Sequence, residues 1–276
     1  MTTMIVLITG CSEGGAGAAL AKEFHSRGHR VFATARNVLG LASLEALGIE
    51  TLPLDVTGQI SRDTAAATIS KLTGGILHIL INNAAVYSLM PLADTNLEDA
   101  RQVFEANVFG VLAVTQAFLP LLINAAGTGL VANVSSISAG LCPPWQGIYS
   151  ASKAALTAIG HTMRLEFAPL GVRVTTIISG GVDTPLKRQA AFVPAGSYYS
   201  SLANSIELNG TSSDYTPMSP TEYAKLVAND LLKPHPRPLL WRGAFASVAW
   251  GLSWLGWVGM MDNGQRTRSG LSTIIR

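Results

Sequence analysis

The stretch QGIYSASKAAL, residues 146–156, sets Tyr149 one helical turn ahead of Lys153. Side chains four apart share a helix face, so a phenol and an ammonium would lie side by side. A neighbouring positive charge lowers a tyrosine pKa, which suits a general acid or base working near neutral pH. Two unrelated polar residues on an amphipathic helix would give the same spacing, so the pair needs company. A second candidate is TGCSEGGAGAALA, which follows the apolar run MIVLI. A glycine-rich strand-to-helix turn lets the backbone approach a pyrophosphate, and the helix N-terminus offers free N–H groups and a positive dipole. Gly10, Ser12, Gly14, Gly15 and Gly17 are the candidate contacts, a plain tight turn being the alternative. A third lies at FATARN, where an acidic residue would accept hydrogen bonds from the ribose of NAD. Ala35 and Arg36 stand there instead. A guanidinium fork suits a 2′-phosphate and favours NADP(H), against the reading of a solvated surface arginine.

Such residues need a scaffold, and the rest of the chain describes one. Its 276 residues are 48% apolar and 13% charged, with a net charge of +2, which fits a compact α/β protein and excludes a disordered one. No Lys/Arg block marks a nucleic-acid partner. Cys11 and Cys142 form no disulfide framework and have no metal-ligand spacing, so no metal site is expected and a reducing compartment is. The opening MTTMIVLITG reads as a buried strand rather than a signal peptide.

Apolar runs alternate with helical stretches through the first two thirds: MIVLITG, RVFATAR, ETLPLDV, LHILINNAA, GLVANVSS and GVRVTTIISGG are the strands. DARQVFEANVFGVLAVTQAFLPLLINA reads as one long helix, and TEYAKLVANDLL as another with Thr221 as its N-cap. This predicts an α/β fold, a single-domain doubly wound parallel sheet with helices on both faces, over residues 1–276. Residues 186–220 read as a substrate lid and 239–276 as an apolar C-terminal extension.

Seven stretches, TGCSEGGAG, LDV at 54–56, NNAA at 82–85, EAN ending at Asn107, VSSIS at 134–138, YSASK at 149–153 and SGGVDTP at 179–185, together carry a resemblance. In their order and spacing the chain resembles the short-chain dehydrogenase/reductase family, whose fold is Rossmann-like. The resemblance implies Tyr149 as the proton donor or acceptor, Lys153 as its pKa modulator and nicotinamide-ribose ligand, and Ser136 rather than Ser135 as the carbonyl-orienting serine. It makes Asn107 the holder of a water linking Lys153 to solvent. Asp55 and Val56 would meet the adenine, Asn82 and Asn83 the strand end beside the adenosine ribose, and Val182 and Thr184 the carboxamide. Three positions depart from the family pattern: the glycine turn is one residue longer, Ala85 replaces a glycine, and Gly180 replaces a proline, which predicts a looser carboxamide loop.

Within the family the motifs are most similar to fungal reductases related to NADPH-dependent 1-acyldihydroxyacetone-phosphate reductase and to ketone reductases of fungal secondary metabolism. The resemblance implies NADP(H), a bulky apolar ketone or alcohol as substrate, and a homo-oligomer, dimer or tetramer. Phe192, Tyr198, Tyr199 and Tyr215 make the lid suitably apolar, and Lys187 and Arg188 are open to a phosphate or to solvent. An NADP-dependent epimerase or dehydratase and a non-catalytic NADP-binding regulator are the competing readings. The tail GAFASVAWGLSWLGWVGMM is uncharged from Gly243 to Met261, with Trp250, Trp254 and Trp257 at helical spacing. Packing on the domain or a partner subunit is the expectation, and peripheral membrane contact the alternative. The location implied is cytoplasmic, extending to the endoplasmic reticulum or lipid-droplet surface if the tail is an anchor.

Overall fold

A computed structural model describes residues 3–188, 193–206, 216–257 and 259–274. Seven parallel strands form one sheet: β1 Ile5–Thr9, β2 Arg30–Ala35, β3 Glu50–Pro53, β4 Ile79–Asn82, β5 Leu130–Ser136, β6 Arg173–Ser179 and β7 Leu239–Arg242. Their spatial order is β3-β2-β1-β4-β5-β6-β7. Side chains alternate along a strand, so each central strand must be apolar on both sides when both faces are covered. In β1, Val6 and Ile8 enter one core while Leu7 enters the other, and in β4 Ile79 and Ile81 oppose Leu80 in the same way. The first core is closed by α1 Ala16–Ser26 and, later in the chain, Pro220–Leu231; the second by α3 Gln59–Thr73, α5 Gly110–Ile123 and α7 Gly147–Phe167. The short helices α2 Ala42–Glu45 and α6 Ser138–Leu141 sit in connections.

The predicted long helix is continuous but not uniform. It runs as α4 Leu97–Phe104, a π-turn over Glu105–Phe109, and α5. Its 27 residues, Leu97–Ile123, are apolar enough to cross a membrane, yet 56% of its most apolar window is buried in the core. Helix α8 Pro220–Leu231 begins two residues earlier than an N-cap at Thr221 predicts. Ser219, not Thr221, is its N-cap, accepting from the Glu222 N–H at 3.2 Å. Pro220 explains the shift, since its fixed φ suits the first helical position and leaves Ser219 to cap.

The predicted extension also starts later. Residues 239–242 are the seventh strand, registered against Thr176–Ser179, so the extension proper begins at Gly243. It continues as α9 Ala246–Leu255 and α10 Asp262–Arg268. At the opposite, N-terminal edge of the sheet, His29 and His78 accept through Nδ1 from the Met4 and Ile5 N–H groups at 3.2 and 3.0 Å. The loops that matter for chemistry emerge at the other edge, where the strand order reverses between β1 and β4.

Candidate active site

Helix α7 is fastened to β5 by Ser135, whose Oγ donates to the Lys153 carbonyl at 3.0 Å and lies 2.7 Å from Thr157 Oγ1. The pleat sends the next residue to the other side. Ser136 there comes close enough to the Tyr149 phenol to draw its pKa down, and accepts from both the N–H and the hydroxyl of Ser138, at 3.1 and 2.8 Å. The two neighbours thus face different ways: Ser136 lies toward the phenol, and Ser135 holds the helix.

Tyr149 is buried, its ring edge-on to Tyr87 at 4.9 Å. Burial pushes its phenol up to about 12, with the Ser136 hydrogen bond pulling the other way. Lys153 is buried as well and falls to about 8 for the same reason. Its Nζ donates to the Val134 carbonyl at 2.8 Å and stands 5.9 Å from the centre of the Tyr149 ring. The spacing argument therefore needs correction. The two side chains do share a face, but desolvation outweighs any help the ammonium gives the phenolate. Removing both groups from water disfavours the charged form of each.

Asn107 joins this cluster from the π-turn. Its Oδ1 accepts from the Val86 N–H and its Nδ2 donates to the Val86 carbonyl, both at 2.8 Å. The same Nδ2 reaches Ser152 Oγ at 3.0 Å, and that hydroxyl donates to the Tyr149 carbonyl at 2.7 Å. A π-turn rotates its residues relative to a regular helix, which turns Asn107 inward where α4 and α5 alone would not.

The glycine turn resolves position by position. Gly10 has a φ of 71°, and a Cβ there would lie 2.7 Å from Ala84 Cα, so the β1 and β4 ends approach as only glycine allows. A Cβ on Gly17 would strike Asn83 and the Gly10 carbonyl. Gly15 is the N-cap of α1 and provides no side-chain cap, which leaves the first N–H groups to whatever sits above them. Gly14 turns the chain beneath Pro185. The additional residue is absorbed between Ser12 and Gly15, where the Gly15 N–H returns to the Ser12 carbonyl at 3.1 Å and Glu13 N–H reaches the Gly40 carbonyl at 3.2 Å.

The two asparagines ending β4 are turned inward. Asn82 donates to Thr115 and Asn133, each at 2.9 Å, and Asn83 donates to the Thr9 and Gly10 carbonyls, each at 2.9 Å. They shape the crevice floor, and both Nδ2 groups are engaged by protein. Arg36 is exposed at the end of β2. Beyond β3, burial would raise the Asp55 carboxyl, but the Thr57 N–H and hydroxyl, with the charges of Arg36 and Arg62, hold it below its usual value. Val56 is buried beside it, its carbonyl accepting from Arg62 at 2.8 Å.

The loop after β6 corrects the expectation of looseness. A Cβ on Gly180 would fall on the Ala244 carbonyl oxygen, so the extension passes directly over this residue. Gly180 N–H donates to Arg242 at 2.8 Å, Gly181 and Ala244 exchange two backbone bonds at 2.9 and 3.0 Å, and Met218 exchanges two with Gly181 and Asp183 at 3.0 Å. Val182 and Thr184 follow on this pinned backbone, Val182 buried and Thr184 half-buried.

Around Tyr149 lies an apolar cluster of Tyr87, Leu89, Trp145, Leu202 and Ile206, with Tyr199 edge-on to Trp145 at 5.0 Å. Tyr198 instead faces solvent, 87% exposed. Phe192 and Tyr215, and the side chains of Lys187 and Arg188, lie outside the described residues. Sequence reasoning missed Ser138, Ser152, Tyr87 and Trp145. The two serines stand inside the quoted motifs VSSIS and YSASK, while nothing local marks Tyr87 or Trp145. Among the described residues no group of His, Cys, Asp and Glu could hold a metal ion. The bare α1 terminus, the glycine-only approach at Gly10 and the exposed Arg36 suit an extended diphosphate-bearing ligand along the strand ends.

Comparison with known proteins agrees with this geometry. The chain is 45% identical over 256 residues to the short-chain dehydrogenase cctT of Talaromyces islandicus, covering 91% of this chain and 88% of that one. It is 38% identical over 261 residues, 88% and 86% of the two chains, to a protein of Schizosaccharomyces pombe named NADPH-dependent 1-acyldihydroxyacetone phosphate reductase. Among solved structures, a short chain dehydrogenase from Burkholderia cenocepacia in complex with NADP superposes with a TM-score of 0.72 at 26% identity, covering 97% of both chains. The short chain dehydrogenase family model matches residues 4–191. The chain belongs to the short-chain dehydrogenase family and is an oxidoreductase acting on CH–OH groups with a nicotinamide cofactor.

Proposed function

We propose that the protein is an NADPH-dependent reductase of a bulky apolar ketone, an acyl-dihydroxyacetone-phosphate-like lipid or a secondary-metabolite ketone. The observation that carries this reading is the convergence of Ser136, on the neighbouring strand end, with the buried pair Tyr149 and Lys153 on one helix face. NADPH, when bound, supplies hydride. Gly10, Ser12, Gly14, Gly15 and Gly17 would hold its diphosphate, Arg36 its 2′-phosphate, Asp55, Val56, Asn82 and Asn83 the adenosine end, and Val182 and Thr184 the carboxamide. Arg36 supports the phosphate form, and the names of the Schizosaccharomyces and Burkholderia relatives point the same way.

Ser136 orients the ketone oxygen, and Tyr149 gives that oxygen its proton as negative charge grows there. Two donors aimed at the developing oxyanion favour the transition state over the ground state. A phenol near 12 stays protonated at neutral pH and is poised to donate. Lys153 offers Tyr149 a proton source close to neutrality, and it would bind the ribose hydroxyls of the cofactor. Asn107 serves through its main chain, its amide being engaged by Val86 and Ser152. The apolar cluster of Tyr87, Trp145 and Leu202 matches an apolar substrate. The assembly is a homo-oligomer, dimer or tetramer, and the location cytoplasmic.

Oxidation of NADPH and NADH by the purified protein, with acyl-dihydroxyacetone phosphate and polycyclic ketones, tests this. NADPH turnover is expected, and Arg36→Ala should cost affinity for NADPH but not for NADH. Equal losses refute the phosphate contact. Tight binding without net oxidation would favour an epimerase or a regulator.

A further inference from the structure

We propose that the face formed by α9 with Trp257 and Met260 docks on an anionic lipid bilayer. The helix is amphipathic in reverse. Its small residues Ala246 and Ala249 are buried, while Val248, Trp250, Trp254, Leu255, Trp257 and Met260 are exposed, Trp254 by 76% and Leu255 by 81%. A water-facing helix carries its polar residues outward, and this one presents its largest apolar ones. The run from Gly243 to Met261 contains no charge.

Three observations choose a bilayer as the occupant. Tryptophan favours the interfacial layer, where its ring is half in hydrocarbon and its N–H can meet water; three of the chain's five tryptophans lie within eight residues here. The helix has ten residues, so it spans about 15 Å, half a bilayer core, and must lie in the plane rather than cross. The charge around it is one-sided: residues 237–276 hold Arg237, Arg242, Arg266, Arg268 and Arg276 against Asp262 alone. Arg242 is paired with Asp230, and Arg266 is exposed on the last turn of α10, beyond the apolar run in the chain. Basic residues next to an apolar ribbon suit anionic headgroups. A second copy meeting this face by two-fold symmetry would set the same arginines against each other.

The segment also bears on the site. Gln265 Nε2 donates to the Leu141 carbonyl at 2.9 Å, and Leu271 packs on the cluster containing Tyr199 and Leu202. The docked face thus continues into the wall beside Tyr149, where an acyl substrate would be taken from the bilayer.

The test is co-sedimentation of the full chain with phosphatidylcholine vesicles, with and without phosphatidylserine, alongside intrinsic tryptophan fluorescence and solution mass by light scattering. It reads binding and does not depend on the reductase reading. Sedimentation with the anionic vesicles and a blue shift are expected, both reduced by salt. The double variant Trp254→Ser, Trp257→Ser should lose at least about tenfold in vesicle affinity while keeping its melting temperature, because both side chains are exposed. Absence of sedimentation, or equal binding by the variant, overturns the proposal. So does a variant that loses a dimer while neither protein binds vesicles, which would make the occupant a second copy.

Discussion

Ser135 and Ser136 are chemically identical neighbours, and the pleat alone gives them different work. Ser136→Ala removes the hydroxyl bound to Tyr149 and should lower ketone turnover by about 10²-fold, the scale of losing one oxyanion donor, with little change in melting temperature. Ser135→Ala removes a buried bond between β5 and α7, at about 1 kcal/mol, or roughly 2–4 °C of melting temperature, with much less effect on turnover. Steady-state rates and thermal melts on both variants check this, and the reverse pattern would refute the assignment. The candidate residues Tyr149, Lys153, Ser136 and Asn107 are legible because each sits in a local motif. Their electrostatics were not: helical spacing places Lys153 beside Tyr149, but burial, a property of the whole fold, moves both pKa values the other way.

Elements were legible where pattern is local and obscured where a distant segment intervenes. Short apolar runs alternating with helical stretches announce six of the strands, whereas β7, four residues long, merges with the apolar tail that follows it. The π-turn is invisible to a period of 3.6, and Asn107 needs Val86, 21 residues away, to fix it. The loop after β6 shows the same limit. From sequence, glycine in place of proline means freedom; in the fold, Ala244 crosses so closely that no Cβ fits. Gly180→Ala should therefore destabilise by about 1–3 kcal/mol through overpacking and raise the KM for NADPH, because the strap and the carboxamide loop must part. Thermal melts and NADPH titration by fluorescence measure both. An unchanged melting temperature would show that the strap yields freely.

For the molecule as a whole, the two edges of the sheet divide chemistry from pH sensitivity. At the N-terminal edge, burial lowers the pKa of His29, assisted by Arg27, His78 and the N-terminus, and burial lowers that of His78. Both accept backbone N–H bonds through Nδ1 and must be neutral to do so. Their folded pKa values lie below the ordinary 6.5, so the unfolded chain binds more protons in that range. Stability then rises with pH, is complete above about 6.5, and is lost as pH falls toward the folded values. Melting temperature should drop between about pH 7 and pH 5, across the range where histidine titrates. The double variant His29→Asn, His78→Asn should flatten that slope; an unchanged slope would assign acid sensitivity elsewhere. The placement of β7 has a consequence of another kind. A cut before Leu239 would remove an edge strand with the tail, leaving seven-residue β6 as a bare row of unpaired backbone groups. Such an edge recruits strands from other chains, so the shortened protein would be prone to aggregation, and a stop after Arg242 is the earliest that keeps β6 fully paired with β7.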